Sequence, residues 1–226
     1  MLTEVVSATK LDEGHFWSEA PLAAHLRRSR FDRRLRRAIA FENSTGLPEI
    51  YNRAINGTSD LLAFVHDDVW IEDLYFVDRL GLALSNFDVV GVVGSARRLP
   101  HQSIWCYSPS DKRMDKAFLR GAVGHGPTPF AEVDFYGSTP APCEILDGLF
   151  IGARRNALVK SGVTFDARFD FHFYDLDFCR TAVKAGLRVG VWPIGMTHRR
   201  TGIAGAEYDT GPWADGRARY FDKWGD

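Results

Sequence analysis

Short apolar runs alternate with stretches of helical period through the first hundred residues of the chain. Residues 4–9 (Glu-Val-Val-Ser-Ala-Thr), 37–41 (Arg-Ala-Ile-Ala-Phe), Leu61–Val65 and 88–94 (Asp-Val-Val-Gly-Val-Val-Gly) read as strands. Helices are expected somewhere in 16–30, over 47–56 with Pro48 in the first turn and Gly57 just past the end, and over 71–86. In the last of these, Leu74, Val77, Leu80, Gly81 and Leu84 share one face. Strand–helix–strand units of this kind predict an α/β fold, with a mostly parallel central sheet flanked by helices. The rhythm stops at residues 95–142, a proline-rich segment without a clear period, which is expected to overhang a site. It resumes with 143–153, a short helix over 154–161, a helix over 174–185 that buries Leu176, Cys179, Ala182 and Val183, and a last strand over 187–194. The tail, with Trp213, Tyr220, Phe221 and Trp224, is expected to pack back onto a single domain spanning 1–226.

The third strand runs without a gap into His66-Asp67-Asp68-Val69. Strand ends are where α/β sheets place ligands, and adjacent carboxylates repel unless a cation, a donor or a proton relieves them. Mg²⁺ or Mn²⁺ would do so while joining them to a substrate's phosphates. The plainer reading has one aspartate capping a helix that begins near Ile71 and the other solvated.

Composition narrows the classes. A 226-residue chain that is 45% hydrophobic can bury one full core, and a net charge of −1 argues against a general nucleic-acid binder. Cys106, Cys143 and Cys179 are odd in number and far apart, so neither a disulfide framework nor a zinc site is indicated. Reduced thiols, no apolar run of membrane-spanning length and no signal-peptide core together suggest a soluble cytoplasmic protein.

Three blocks then follow in order. Asn43-Ser44-Thr45-Gly46 and Tyr51-Asn52-Arg53-Ala54 lead into Phe64-Val65-His66-Asp67-Asp68-Val69-Trp70. The second is Asp147-Gly148-Leu149-Phe150-Ile151-Gly152-Ala153-Arg154-Arg155. The third runs from Phe165-Asp166-Ala167-Arg168-Phe169 through Phe173-Tyr174-Asp175-Leu176-Asp177-Phe178-Cys179-Arg180 to Ala185-Gly186. With the first strand and Lys223-Trp224-Gly225, they resemble the family 2 glycosyltransferases of GT-A fold, in a branch with a His-Asp-Asp-Val acidic motif. Two positions depart from the pattern. Val65 or His66 stands where the family commonly has the leading acid of its metal motif, and Tyr174 precedes Asp175 where the family has Glu.

The resemblance implies a single GT-A-like domain, with a nucleotide-binding half near 1–94 and an acceptor and catalytic half near 95–226. It implies a metal-dependent inverting transferase that moves a sugar from a nucleotide-diphosphate donor, a UDP-sugar first, to a hydroxyl of a saccharide or lipid-linked saccharide. Asp175 would be the base, although a plain acid in the first turn of a helix is its bland rival. Asp67 is favoured over Asp68 as the first metal ligand, with His198 completing the site or serving only structure. Thr9, Lys10, Glu42, Asn43, Asn52, His66 and Asp67 fall on the nucleotide side. Asp147, Gly148 and Tyr174 fall on the sugar and acceptor side, with Asp147 alternatively a turn former. Arg199 and Arg200 suit diphosphate oxygens. Trp70, Trp105, Tyr107 and Phe130 are candidates for stacking on sugar rings or for the core.

The one strong charge feature is Arg27, Arg28, Arg30, Arg33, Arg34, Arg36 and Arg37. It is either a solvated face or a patch that holds the chain at the anionic inner face of a membrane. Two rival functions remain: a catalytically silent sugar- or nucleotide-binding domain, and a sugar-nucleotide nucleotidyltransferase. The second would need a glycine-rich basic loop after the first strand, and Thr-Lys-Leu-Asp-Glu-Gly at residues 9–14 is a poor match.

Overall fold

The computed structural model describes residues 1–110, 113–199 and 211–226. Strand β1 (Thr3–Ala8) is followed by α1 (Glu13–Glu19) and α2 (Pro21–Arg28), so the helix expected within 16–30 is two helices. Pro21, which has no N–H to donate, opens the second of them at its first position. β2 (Leu35–Ala40), α3 (Leu47–Ile55) and β3 (Leu61–Val65) come next, and β2 and β3 pair with β1 on either side, both parallel. All five residues of β3 are buried, as its unbroken apolar run requires of a central strand.

The chain leaves β3 through a turn at Asp67-Asp68 into β4 (Val69–Ile71), and α4 (Phe76–Asn86) begins only afterwards. The helix expected from residue 71 therefore starts later, because Val69–Ile71 pairs with another strand. Tyr75 is its N-cap, so neither Asp67 nor Asp68 caps it, and Leu74 is exposed rather than on the buried face.

The strand expected over 88–94 is divided into β5 (Val89–Gly91) and β6 (Val93–Ser95), which enter different sheets. The segment 95–142 contains β7 (Leu119–Gly126), β8 (Val133–Gly137) and β9 (Ala141–Pro142). β7 escapes a reading by periodicity because Gly121, Gly124 and Gly126 interrupt it. A Cβ on Gly121 would lie 1.9 Å from the Val92 carbonyl oxygen, at a φ of +91°. β10 (Ile145–Leu146), β11 (Phe150–Arg154), α5 (Arg155–Ser161), α6 (Tyr174–Lys184), β12 (Val189–Val191), β13 (Met196–Arg199) and α7 (Gly211–Trp224) complete the order.

The larger sheet has the order β2-β1-β3-β11-β5-β12-β9, and the second β10-β6-β7-β13-β4, with β8 on β7. The α/β class is as expected. The sheet is mostly parallel only in its first half, because β11 inserts antiparallel between β3 and β5, making the whole mixed. The aromatic tail does pack back: Trp213 and Tyr220 of α7 meet Phe173 at ring-centroid distances of 5.3 and 5.5 Å.

Candidate active site

Strands β1 and β2 end side by side, and their ends open a cavity of about 740 Å³ lined by Thr9, Lys10, Asn43, Thr45, Gly46, Asp67 and Arg199 among others. Thr9 Oγ1 accepts from the Leu11 N–H (3.1 Å), and Lys10 Nζ donates to the Asn43 carbonyl (2.7 Å). Asn43 shapes the turn, its amide donating to the Thr45 carbonyl (2.6 Å). At Gly46 a Cβ would meet Asp170 at 2.7 Å, so only glycine lets the turn lie this close to the segment before α6. Three expected nucleotide residues stand apart from the lining of this cavity: His66, which faces the second cavity described below, Glu42 and Asn52. Glu42 is exposed in a left-handed turn (φ 47°). Asn52 is committed to the backbone of Phe165, donating to its carbonyl (2.8 Å) and accepting from its N–H (2.9 Å).

A second cavity, of about 260 Å³, adjoins the first across Phe171, which lines both. His66, His125, Asp147, Gly148, Tyr174, Asp175 and His198 face it, with Trp105, Tyr107 and Trp213 as aromatic walls. Trp70 and Phe130 are not in its lining, and Phe130 is 68% exposed. Nothing in the sequence singled out Asp170, Phe171 or His125. They lie in irregular or glycine-broken segments and reach the site only through the fold.

Asp175 owes its place to α6, which starts at Tyr174 directly after Phe173 in a left-handed conformation (φ 68°). That conformation is costly for a non-glycine residue, and here Trp213 and Tyr220 pack on the ring that adopts it. Asp175 takes one backbone N–H on each oxygen, from Leu176 to Oδ1 and from Gly148 to Oδ2, both at 2.9 Å. Burial and the neighbouring Asp147 carboxylate nevertheless push its pKa up to about 7, against those hydrogen bonds. A carboxylate poised there can both hold and release a proton near neutrality. Asp147 itself accepts from the Leu149 N–H (2.9 Å), so it forms the turn and faces the cavity at once.

The three expected metal ligands are not brought together. Among the described residues no three His, Cys, Asp or Glu side chains converge as a ligand set. Adjacent residues in a turn point apart: Asp67 faces the larger cavity, whereas Asp68 Oδ2 lies 3.2 Å from His198 Nε2. Of the two aspartates it is Asp68, not the favoured Asp67, that lies beside His198. Asp68 Oδ1 is buried without a hydrogen-bond partner, the kind of atom a cation satisfies. Burial opposes ionisation of Asp68, but His198, by hydrogen bond and charge, and His66, by charge, outweigh it and hold its pKa below the usual range. Asp68 and His198 thus fit as two residues that could hold a divalent ion. Arg199 donates from its side chain to the Glu19 carbonyl (3.0 Å) at the rim of the larger cavity, and Arg200 lies outside the described residues.

The mixed α/β architecture is that of a GT-A-like fold. No family model matches the chain, and no curated protein does. Among solved structures it is similar to S. aureus TarS 1–349 in complex with UDP-GlcNAc, with a TM-score of 0.56 at 13% identity over 93% of this chain and 62% of that one. The UDP complex of the same TarS fragment gives 0.50 at 14% identity over 88% and 61%. A further TarS structure gives 0.52 at 14% identity over 89% of this chain and 37% of that one. The chain therefore spans less than two thirds of these TarS chains, and at such identity the likeness establishes the fold alone.

Proposed function

We propose that this protein is an inverting, metal-dependent glycosyltransferase that moves a sugar from a nucleotide-diphosphate donor to an acceptor hydroxyl. The observation that carries the reading is the pair of adjoining cavities. The one at the ends of β1 and β2 takes the nucleotide, and the other presents Asp175. Thr9, Lys10 and Asn43 border the nucleoside, and Arg199 faces the diphosphate. A divalent ion held by Asp68 and His198 would neutralise charge on the leaving diphosphate. Asp175 takes the acceptor's proton as its oxygen attacks the anomeric carbon, while Trp105, Tyr107 and Trp213 offer faces for sugar rings. UDP-GlcNAc is the first donor to try, since TarS was solved with it. The silent-binder alternative predicts nucleotide affinity without turnover, and the nucleotidyltransferase alternative predicts pyrophosphate release from a nucleoside triphosphate.

Calorimetric titration with UDP, GDP and dTDP, with and without Mn²⁺, tests the reading. Wild type should bind one nucleotide more tightly with Mn²⁺. Asp68→Asn should remove that metal-dependent gain, about 10- to 100-fold in affinity. Asp67→Asn should weaken the nucleotide with and without metal alike. Failure of all nucleotides to bind would end the proposal.

The pH dependence follows from Asp175. Only its ionised form can accept a proton, so kcat/KM should rise with pH through about 7 and level off above. Asp147→Asn removes the like charge and should move that rise to lower pH.

The arginine run gathers at the opposite end of the sheet. Arg27 and Arg28 end α2, Arg36 and Arg37 lie in the edge strand β2, and Phe31 between them is 63% exposed. Arg34 is paired with Asp32 and Asp78, and Arg37 lies over the Trp17 ring. Such a surface suits anionic lipid at the inner membrane face and a lipid-linked acceptor. Co-sedimentation with phosphatidylglycerol vesicles should be salt-sensitive and should fall several-fold in Arg30→Ala/Arg33→Ala/Arg36→Ala, with UDP affinity unchanged. Equal sedimentation with neutral vesicles would leave the patch as a solvated face.

A further inference from the structure

His66 at the end of β3 and Tyr174 at the start of α6 lie against each other. Tyr174 Oη donates to the Gly148 carbonyl at 2.7 Å, which turns the hydroxyl's lone pairs toward His66. His66 Nε2 lies 2.7 Å from that oxygen and donates to it. The same glycine supplies the N–H that reaches Asp175 Oδ2. One continuous chain of hydrogen bonds therefore runs from the end of β3, through the turn before β11, to the first turn of α6.

Each member of this chain has little freedom. Tyr174 is 2% exposed, and its ring lies 5.9 and 6.1 Å from those of Tyr51 and Phe165. The His66 ring stacks on Phe171 at 5.7 Å, and its backbone N–H donates to the Leu149 carbonyl (3.1 Å). Gly148 has no room for a side chain: a Cβ would lie 2.3 Å from the Tyr174 hydroxyl and 3.1 Å from Asp175 Cβ.

We propose that His66 and Tyr174 are positioning residues that act through Gly148, clamping it so that its N–H holds the Asp175 carboxylate in one orientation toward the acceptor hydroxyl. The pair then joins the acidic motif to the base through Gly148. The proposal rests on the transferase reading given above. Its physical basis is that a base must meet its proton within hydrogen-bond reach, and an error of about 1 Å can cost about 100-fold in rate. Removing the tyrosine hydroxyl frees the Gly148 carbonyl and lets the N–H drift from Asp175, which loses both alignment and a stabiliser of its ionised form. The ionisable groups that face Asp175 are Asp147 from the turn before β11, Tyr51 from α3, and Tyr174 and Cys179 from its own helix.

The test uses Tyr174→Phe, His66→Leu, their double variant and His66→Gln, with kinetics across pH. Tyr174→Phe keeps the ring and should lower kcat about 10- to 100-fold, with the KM for nucleotide sugar within about two-fold. Its pH–rate rise should move up by about half to one unit. His66→Leu should match it, the double variant should be no worse than either single, and His66→Gln, which keeps an N–H donor, should recover much of the rate. An unchanged kcat and pH profile in Tyr174→Phe, or losses that multiply in the double variant, would overturn the proposal. Should the wild type show no turnover with any donor, the transferase reading fails on its own. The clamp is still read by NMR titration of the Asp175 carboxyl, whose midpoint must rise equally in Tyr174→Phe and His66→Leu. No movement there refutes the clamp.

Discussion

Asp175→Asn should abolish most turnover, lowering kcat by about 10²- to 10⁴-fold, while binding of nucleotide with Mn²⁺ stays near the wild-type level. Asparagine keeps the size of the side chain and one oxygen for a backbone N–H, but it has no carboxylate to take a proton. The split between rate and binding follows from the cavities: Asp175 faces the smaller, whereas the nucleotide residues line the larger. Stability should move the other way. Because the folded-state pKa of Asp175 is raised, the folded protein holds a proton that the unfolded chain has already released between about pH 4 and 7. The contribution of Asp175 to stability therefore declines through that window as pH rises, and above it an ionised carboxylate remains buried beside Asp147. Asp175→Asn escapes that cost, so its melting temperature at pH 8 should equal or exceed the wild type's. An inactive variant that also lost nucleotide binding would mean that Asp175 supports the fold rather than the chemistry.

Lys223→Met should cost about 3 kcal/mol of stability, near the lower end of the range for breaking a buried ion pair. Lys223 of α7 meets Asp177 of α6 at 2.7 Å and Asp166 at 2.8 Å, and Asp177 is fully buried. Trp224 Nε1 donates to the same carboxylate at 2.8 Å. Burial raises the Asp177 pKa even with Lys223 beside it, and losing the lysine must raise it further. The deficit of Lys223→Met should thus be smaller at pH 5, where Asp177 can hold a proton, and larger at pH 8. Denaturant unfolding at the two pH values measures the difference. Adding Asp177→Leu should restore much of the loss, since a buried pair replaced by apolar groups is often nearly neutral. Arg180 and Arg98 clamp Asp226 at 2.7 and 3.0 Å, so α7 has a second attachment, and the variant should loosen that helix rather than release it.

Legibility in the sequence followed the kind of signal. β3, an unbroken apolar run ending at a polar turn, lies where its pattern places it. α3, with Pro48 in its first turn, and α6, stopping just before Gly186, also match their punctuation. β7 was illegible because its glycines serve close backbone approach, which erases hydrophobic period. The start of α4 was misplaced because Val69–Ile71 pairs with β13, a partner more than 120 residues away in the chain. Site residues divided along the same line. Thr9, Lys10 and Asn43 sit at strand ends and reach the cavity, whereas Asn52, one turn inside a helix, is used to bind the Phe165 backbone.

From the sequence alone came the α/β class, the acidic strand end and the carboxylate at the start of α6, because each is written in local pattern or in residue type at one place. Tertiary structure decided which of two adjacent aspartates meets His198, that Asp147 lies close enough to raise the pKa of Asp175, and that His66 and Tyr174 touch. Those outcomes depend on distances of a few ångströms between residues 28 to 130 positions apart in the chain. Such distances arise only when β11 inserts beside β3 and α6 docks across its end, so no local pattern could have carried them.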